Sequence, residues 1–179
     1  MKNVLTGLLF LGLTSLSYAQ DKPANDVKNA DVEEVKLTGV TVKNMNSNYL
    51  NKVQDPSTPE RVVQLENTAA RYDLTMSDIY DGNHEAYEVI FEQTNGRIIA
   101  TYDKDGQILT SFEKFTNLTL PAPVRNSLYK EYPGWTVFKD AYLVSYYEGT
   151  DDIRKIYRVQ LRKENQKLNL KCDVDGNIL

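Results

Sequence analysis

Residues 87 to 109, YEVIFEQTNGRIIATYDKDGQIL, align without a gap on residues 157 to 179, YRVQLRKENQKLNLKCDVDGNIL, at an offset of 70. Eight of the 23 positions are identical, among them Tyr87/Tyr157, Val89/Val159, Asp103/Asp173 and Gly106/Gly176, and apolar positions between them such as Phe91/Leu161 and Ile98/Leu168 match in kind. Such self-similarity marks a repeated structural unit. Its apolar residues alternate with period two, the pattern of half-buried strands, so the unit reads as a hairpin. Asn95-Gly96 is the turn signal of the first copy, and as a two-residue loop it pairs 91 with 100 and 89 with 102. Tyr87, Val89 and Phe91 then share a face with Ala100 and Tyr102, as Tyr157, Val159 and Leu161 do with Leu170 and Cys172. The second turn, Asn165-Gln166, is the weaker, because Gln accepts positive φ less readily than Gly.

Asp103-Lys104-Asp105-Gly106 and Asp173-Val174-Asp175-Gly176 look like fragments of a calcium loop but lack its further oxygen ligands and distal Glu. They read as turns in which the first Asp caps the loop and Gly takes the left-handed position, leading to a third strand. Each hairpin is preceded by a helix. The first starts near Ser57-Thr58-Pro59-Glu60, where Ser57 and Glu60 have capping-box spacing, and presents Val62, Leu65, Ala69 and Tyr72. The second runs from about 120 to 132, with Val124, Leu128 and Tyr132 in one line, and Pro133-Gly134 stops it. Residues 135 to 147 are rich in aromatic and β-branched side chains and form one or two strands.

Upstream, Lys2 precedes an apolar run from Val4 to Leu13, and Ser17-Tyr18-Ala19 places small residues before Gln20. This is the pattern of a signal peptide over residues 1–19, too short to anchor a membrane. Cleavage leaves 160 residues, enough for one compact domain with no membrane span, located in the periplasm or outside the cell. Residues 20–56 form a polar segment in which 34–43, with Val35, Leu37, Val40 and Val42, supplies an extra strand.

Leu120-Pro121-Ala122-Pro123-Val124, Leu128 and Tyr132-Pro133-Gly134, followed by Tyr157-Arg158-Val159 and Asp175-Gly176-Asn177-Ile178-Leu179, are similar to the PepSY-like, β-lactamase-inhibitor-like family of exported bacterial proteins. The match is clearest over 118–179, and 57–117 reads as a divergent first copy without the Tyr-Pro-Gly stop. The resemblance implies an α+β fold, a tandem repeat of a helix packed on an antiparallel β-sheet, and a non-enzymatic role. It assigns no inhibitory residue.

Composition narrows the chemistry. Lys and Arg number 21 against 25 Asp and Glu, a net charge of −4, so no basic excess points to nucleic acid. One Cys and one His supply neither a disulfide scaffold nor a zinc cage. His84 and Cys172 lie in unrelated contexts, no nucleophile has an activating base, and no glycine-rich phosphate loop occurs, so neither enzyme nor cofactor is expected. Cys172 reads as a small buried hydrophobe.

Function then falls to the outward strand positions, where the copies differ in sign. Residues 87–109 carry Arg97 and Lys104 against Glu88, Glu92, Asp103 and Asp105, a net of −2. Residues 157–179 carry Arg158, Arg162, Lys163, Lys167 and Lys171 against Glu164, Asp173 and Asp175, a net of +2. In the predicted register Glu88 faces Asp103, an unfavourable pair, and Arg158 faces Asp173. The expectation is that Arg158, Arg162 and Lys171, with Tyr142, Tyr146 or Tyr147, recognise an acidic surface of another exported or envelope protein. The alternatives are an envelope sensor or carrier of a small ligand or cation, with Glu88, Asp103 and Asp105 as cation ligands, and direct inhibition of a secreted peptidase or lactamase.

Overall fold

The computed structural model describes residues 46–151 and 153–179. The expected signal peptide at 1–19 and the expected strand at 34–43 lie outside the described residues. Two helices, α1 (Ser47–Val53) and α2 (Glu60–Arg71), and a 3₁₀ turn at Leu74–Met76 precede three strands, β1 (Ala86–Gln93), β2 (Gly96–Asp103) and β3 (Ile108–Thr116). Helix α3 (Ala122–Glu131) then leads to β4 (Thr136–Tyr147), β5 (Arg154–Lys163) and β6 (Gln166–Cys172). The strands form one antiparallel sheet in the order β1-β2-β3-β4-β5-β6, so the fold is α+β.

Period-two burial fixes the sheet's inner face: Tyr87, Ile98, Ala100, Tyr102, Phe115, Tyr142, Val144, Tyr146, Tyr157, Val159, Leu161 and Cys172 are all buried in one core. Helix α2 contributes Val62, Leu65 and Ala69, with Tyr72 half-buried, and α3 contributes Val124 and Leu128. This is the apolar stripe that the 3.6 period demands. The Tyr102 hydroxyl donates to the Ala69 carbonyl at 2.7 Å, tying α2 to β2.

Helix α1 lies inside the segment read as polar from sequence. Seven residues are too few to show a period, and its anchor is tertiary. Asn46, left-handed at φ 45° and buried, donates from Nδ2 to the Ala70 and Gly106 carbonyls, and its Oδ1 accepts the Ile108 N–H at 2.8 Å. The capping box at α2 does not form. Pro59 occupies the cap position without a side-chain hydrogen bond, and the Ser57 N–H donates instead to Asp55 at 2.9 Å.

Both hairpins are displaced by two residues from the predicted register: Phe91 pairs with Ile98, Val89 with Ala100, and Tyr157 with Cys172. The loops are Thr94-Asn95, with Asn95 at φ 61°, and Glu164-Asn165, with Glu164 at φ 52°. Gly96 is the first residue of β2 rather than part of the turn. A Cβ there would stand 2.8 Å from the Phe115 ring, so the absent side chain serves a close approach within the sheet. A two-residue displacement keeps every side chain on its predicted face but exchanges its cross-strand partner. Glu88 therefore faces Thr101, not Asp103, and Arg158 faces Lys171, not Asp173.

The two Asp-x-Asp-Gly turns close alike. Asp103 Oδ1 accepts from the N–H groups of Asp105 (2.9 Å) and Gln107 (2.8 Å), and Asp173 Oδ1 from those of Asp175 (3.0 Å) and Asn177 (2.8 Å). Gly106 and Gly176 sit at φ 81° and 87°. Their surroundings differ: a Cβ on Gly106 meets no atom of the described residues within 4 Å, whereas one on Gly176 would stand 2.6 Å from the Pro123 carbonyl oxygen in α3. Gly106→Ala is expected to cost about 1–2 kcal/mol for the left-handed backbone alone. Gly176→Ala adds overpacking against α3, about 1–3 kcal/mol more. Urea midpoints of the two variants check this, and equal losses would remove the close approach as a cause.

Candidate functional site

The candidate site lies on the outer face of the sheet, opposite the core. Arg158 on β5 stands directly across from Lys171 on β6. The same row continues through Ala141 on β4 and Thr116 on β3, because Arg158 pairs with Ala141 and Ala141 with Thr116. Small side chains in the middle of the row and long ones around it leave a concavity of about 610 Å³. Its walls include Lys114, Lys139, Arg158 and Lys171, with Gln160 and Asn169 joined by a 2.9 Å hydrogen bond.

The charge balance is uneven. Asp140 lines the groove, but its Oδ2 accepts the Leu118 N–H at 2.9 Å, and burial pushes its carboxyl above the usual range. Some cations elsewhere have carboxylate partners: Lys155 with Asp55 at 2.8 Å, Arg97 with Glu92 at 3.3 Å, Lys52 with Asp151. Among the described residues none of the four groove cations makes an ion pair, although two of them stand opposite each other. Like charges directly opposed across strands are destabilising, so the fold tolerates this arrangement without deriving stability from it.

Of the residues expected at the site, Arg158 and Lys171 meet in the groove. Arg162 lies outside it, its guanidinium 3.1 Å from the centre of the Phe138 ring. Tyr142 and Tyr146 belong to the core, at 1% and 2% exposure. Tyr142 stacks on Tyr157 with centroids 4.5 Å apart, and Tyr146 meets Tyr49 edge-on at 5.3 Å. Tyr147 alone of the three faces outward, in contact with Phe112. Glu88, Asp103 and Asp105 do not converge into a three-ligand group, and Asp103 Oδ1 is occupied by the backbone of its own turn. His84 Nδ1 lies 3.0 Å from Asp81 Oδ1 in a loop, and burial raises the Cys172 thiol.

Lys114 and Lys139 extend the predicted basic set. They lie on β3 and β4, outside the repeated hairpins, and outward alternation along those strands is the signal that points to them.

A second polar group lies on the inner face. Glu66 of α2 and Glu113 of β3 are 0% and 3% exposed. Glu113 Oε1 accepts from the hydroxyls of Tyr49 (2.7 Å) and Ser111 (2.8 Å), while neither Glu66 oxygen makes a hydrogen bond. Burial and the neighbouring Glu113 push the Glu66 carboxyl up to about 9, and burial raises Glu113 as well. Glu66 is thus a neutral acid at neutral pH. Buried carboxyls of this kind serve as general acids where substrate can reach them, but these face the core.

Among the described residues no helix is long and apolar enough to cross a membrane. No family model and no curated protein matches the chain. Among solved structures it is similar to a DUF2874 family protein from Bacteroides ovatus ATCC 8483, at 17% identity over 68% of this chain and 85% of that one, with a TM-score of 0.34. It is also similar to a BLIP-like protein from Bacteroides fragilis NCTC 9343, at 15% identity over 68% and 84% of the two chains, with a TM-score of 0.29.

Proposed function

We propose that this chain is an exported, non-enzymatic binding protein of inhibitor-like type that recognises an acidic surface of another envelope or secreted protein through the outer face of its sheet. The reading includes cleavage after residue 19 and a tandem origin of 57–117 and 118–179, supported by the 70-residue offset and by the equal displacement of both hairpins. The carrying observation is the groove in which Lys114, Lys139, Arg158 and Lys171 gather without a carboxylate partner among the described residues. Uncompensated cations around a concave surface attract an anionic partner and raise its association rate.

Stability and binding should respond in opposite directions. Lys171→Glu turns the Arg158–Lys171 opposition into an ion pair and is expected to stabilise the fold by about 0.2–1 kcal/mol. The same change weakens capture of a labelled oligoglutamate peptide, and adding Arg158→Glu weakens it at least about tenfold. Reversing Arg125 and Lys130 on α3 supplies the control and leaves capture unchanged. Absence of binding at low salt, or equal loss in the α3 control, would dismiss the groove as a recognition site. A second reading, a small anionic ligand in place of a protein, is supported by the groove's volume, which falls in the range of about 300–1,000 Å³ common for ligand sites. Calorimetry with di- and tricarboxylates tests it.

A further inference from the structure

The outer face is not basic throughout. Ile90, Ile99 and Phe112 stand side by side on β1, β2 and β3, because Ile90 pairs with Ile99 and Ile99 with Phe112. Phe112 meets Tyr147 edge-on, with centroids 5.7 Å apart. Ile90, Phe112 and Tyr147 are 46%, 47% and 43% exposed, and Ile99 is half-buried. Isolated exposed apolar residues need no explanation, but a contiguous row crossing strands does. Across from Phe112 on β4 stands Ser145, and one step further along the strands Leu143 and Ile156, paired on β4 and β5 and half-buried, lie between the row and the basic groove, with Lys114 opposite Leu143.

We propose that the outer face is a two-part docking surface for one extended acidic segment of a partner protein. The groove takes its carboxylates, and the row around Phe112 takes an apolar side chain of the same segment. This rests on the reading of the outer face as a recognition surface. The geometry sets the spacing. Phe112 and Thr116 are four residues apart on β3, about 13 Å at roughly 3.3 Å per residue. An extended peptide running along β3 therefore meets both parts when its apolar anchor lies about four positions from its carboxylates. Charge distinguishes this occupant from a lipid surface, since Glu88 and Glu92 flank Ile90 on β1 and would face anionic headgroups. It also opposes a second copy of the chain, because the outer positions of β5 and β6 hold Arg154, Arg158 and Lys171, which would repel one another across such an interface.

The test uses fluorescence anisotropy with three probes: an acidic peptide, the same peptide carrying Leu or Trp about four residues from its Glu cluster, and phosphatidylglycerol vesicles. The anchored peptide is expected to bind about tenfold more tightly than the plain one, and moving the anchor next to the acidic cluster removes the gain. Phe112→Ala with Tyr147→Ala also removes the gain, so that the variant binds the anchored and the plain peptide equally. Arg158→Glu with Lys171→Glu weakens both peptides, and unchanged melting temperatures confirm intact folds. If the plain peptide binds but the anchor adds nothing, or its gain survives the aromatic substitutions, the two-part surface is overturned while the groove reading stands. If neither peptide binds at low salt, or only the vesicles do, both are overturned.

Discussion

Raising the pH from about 5 to about 9 should lower the stability of this protein by several kcal/mol, and Glu66→Gln should remove the part of that loss that Glu66 carries. Glu66 is inaccessible to water, beside Glu113 and the Gln54 amide, and its folded carboxyl titrates near 9 instead of 4.5. A folded pKa above the unfolded one means that the folded state binds the proton more tightly. The stabilisation is complete below the unfolded value and is lost as the pH climbs through the folded one, at roughly 1.4 kcal/mol for every pH unit that separates the two. Glu113 shifts in the same direction, because its burial outweighs the hydrogen bonds from Tyr49 and Ser111. The charges facing the pair are Lys155 and, bonded to it at 2.8 Å, Asp55. Lys155 moderates the rise without cancelling it. Asp55 titrates oppositely: burial would raise it, but hydrogen bonds from Lys155 and Ser57 hold it below the ordinary range, so its contribution is lost only in acid. Gln keeps the shape of the protonated acid and cannot ionise. Urea unfolding at several pH values should show wild type and variant close together in weak acid and separating progressively as the pH rises. Parallel curves would mean that Glu66 ionises in the fold without penalty.

The inner face of the sheet was legible because burial on one side imposes a period of two, visible in Tyr87-Val89-Phe91 and Tyr157-Val159-Leu161 without reference to anything distant. Register was not legible to the residue. Asn95-Gly96 is a strong local turn signal, but Gly96 is spent on the Phe115 ring, a neighbour 19 positions away that no local rule anticipates. The site divides on the same line. Arg158 and Lys171 could be placed outward from alternation alone, whereas their opposition to each other required the true register. Alternation marks Lys114 and Lys139 as outward too, but gathering them with Arg158 and Lys171 required knowing that β3, β4, β5 and β6 are successive neighbours. Glu66 did leave a trace: four residues after Val62 and three before Ala69, it interrupts the apolar stripe of α2 from within. Glu113 left none, since Phe112 and Phe115 flank a strand whose apolar residues fall on both faces.

Tyr142→Ala is expected to cost about 3–5 kcal/mol, while Tyr147→Ala changes stability by no more than about 0.5 kcal/mol. The aromatic richness of β4 makes its tyrosines look alike in sequence, and alternation separates them: Tyr142, Val144 and Tyr146 point inward, and Tyr147 follows Tyr146 onto the other face. Tyr142 is 1% exposed and stacks on Tyr157 at an interplanar angle of 24°, so truncation removes a ring from a filled space and strips Tyr157 of its partner. Domains of this size are stable by only about 5–15 kcal/mol, and such a loss consumes a large fraction of that margin. Tyr147 keeps 43% of its surface in water and touches chiefly Phe112, so its removal leaves the core unchanged. Its effect should appear instead in the affinity of the anchored peptide. Thermal melts of the two variants beside their peptide affinities assign each tyrosine independently. A fully folded Tyr142→Ala variant that had lost only binding would return that residue to the recognition surface and displace the groove from the centre of the site.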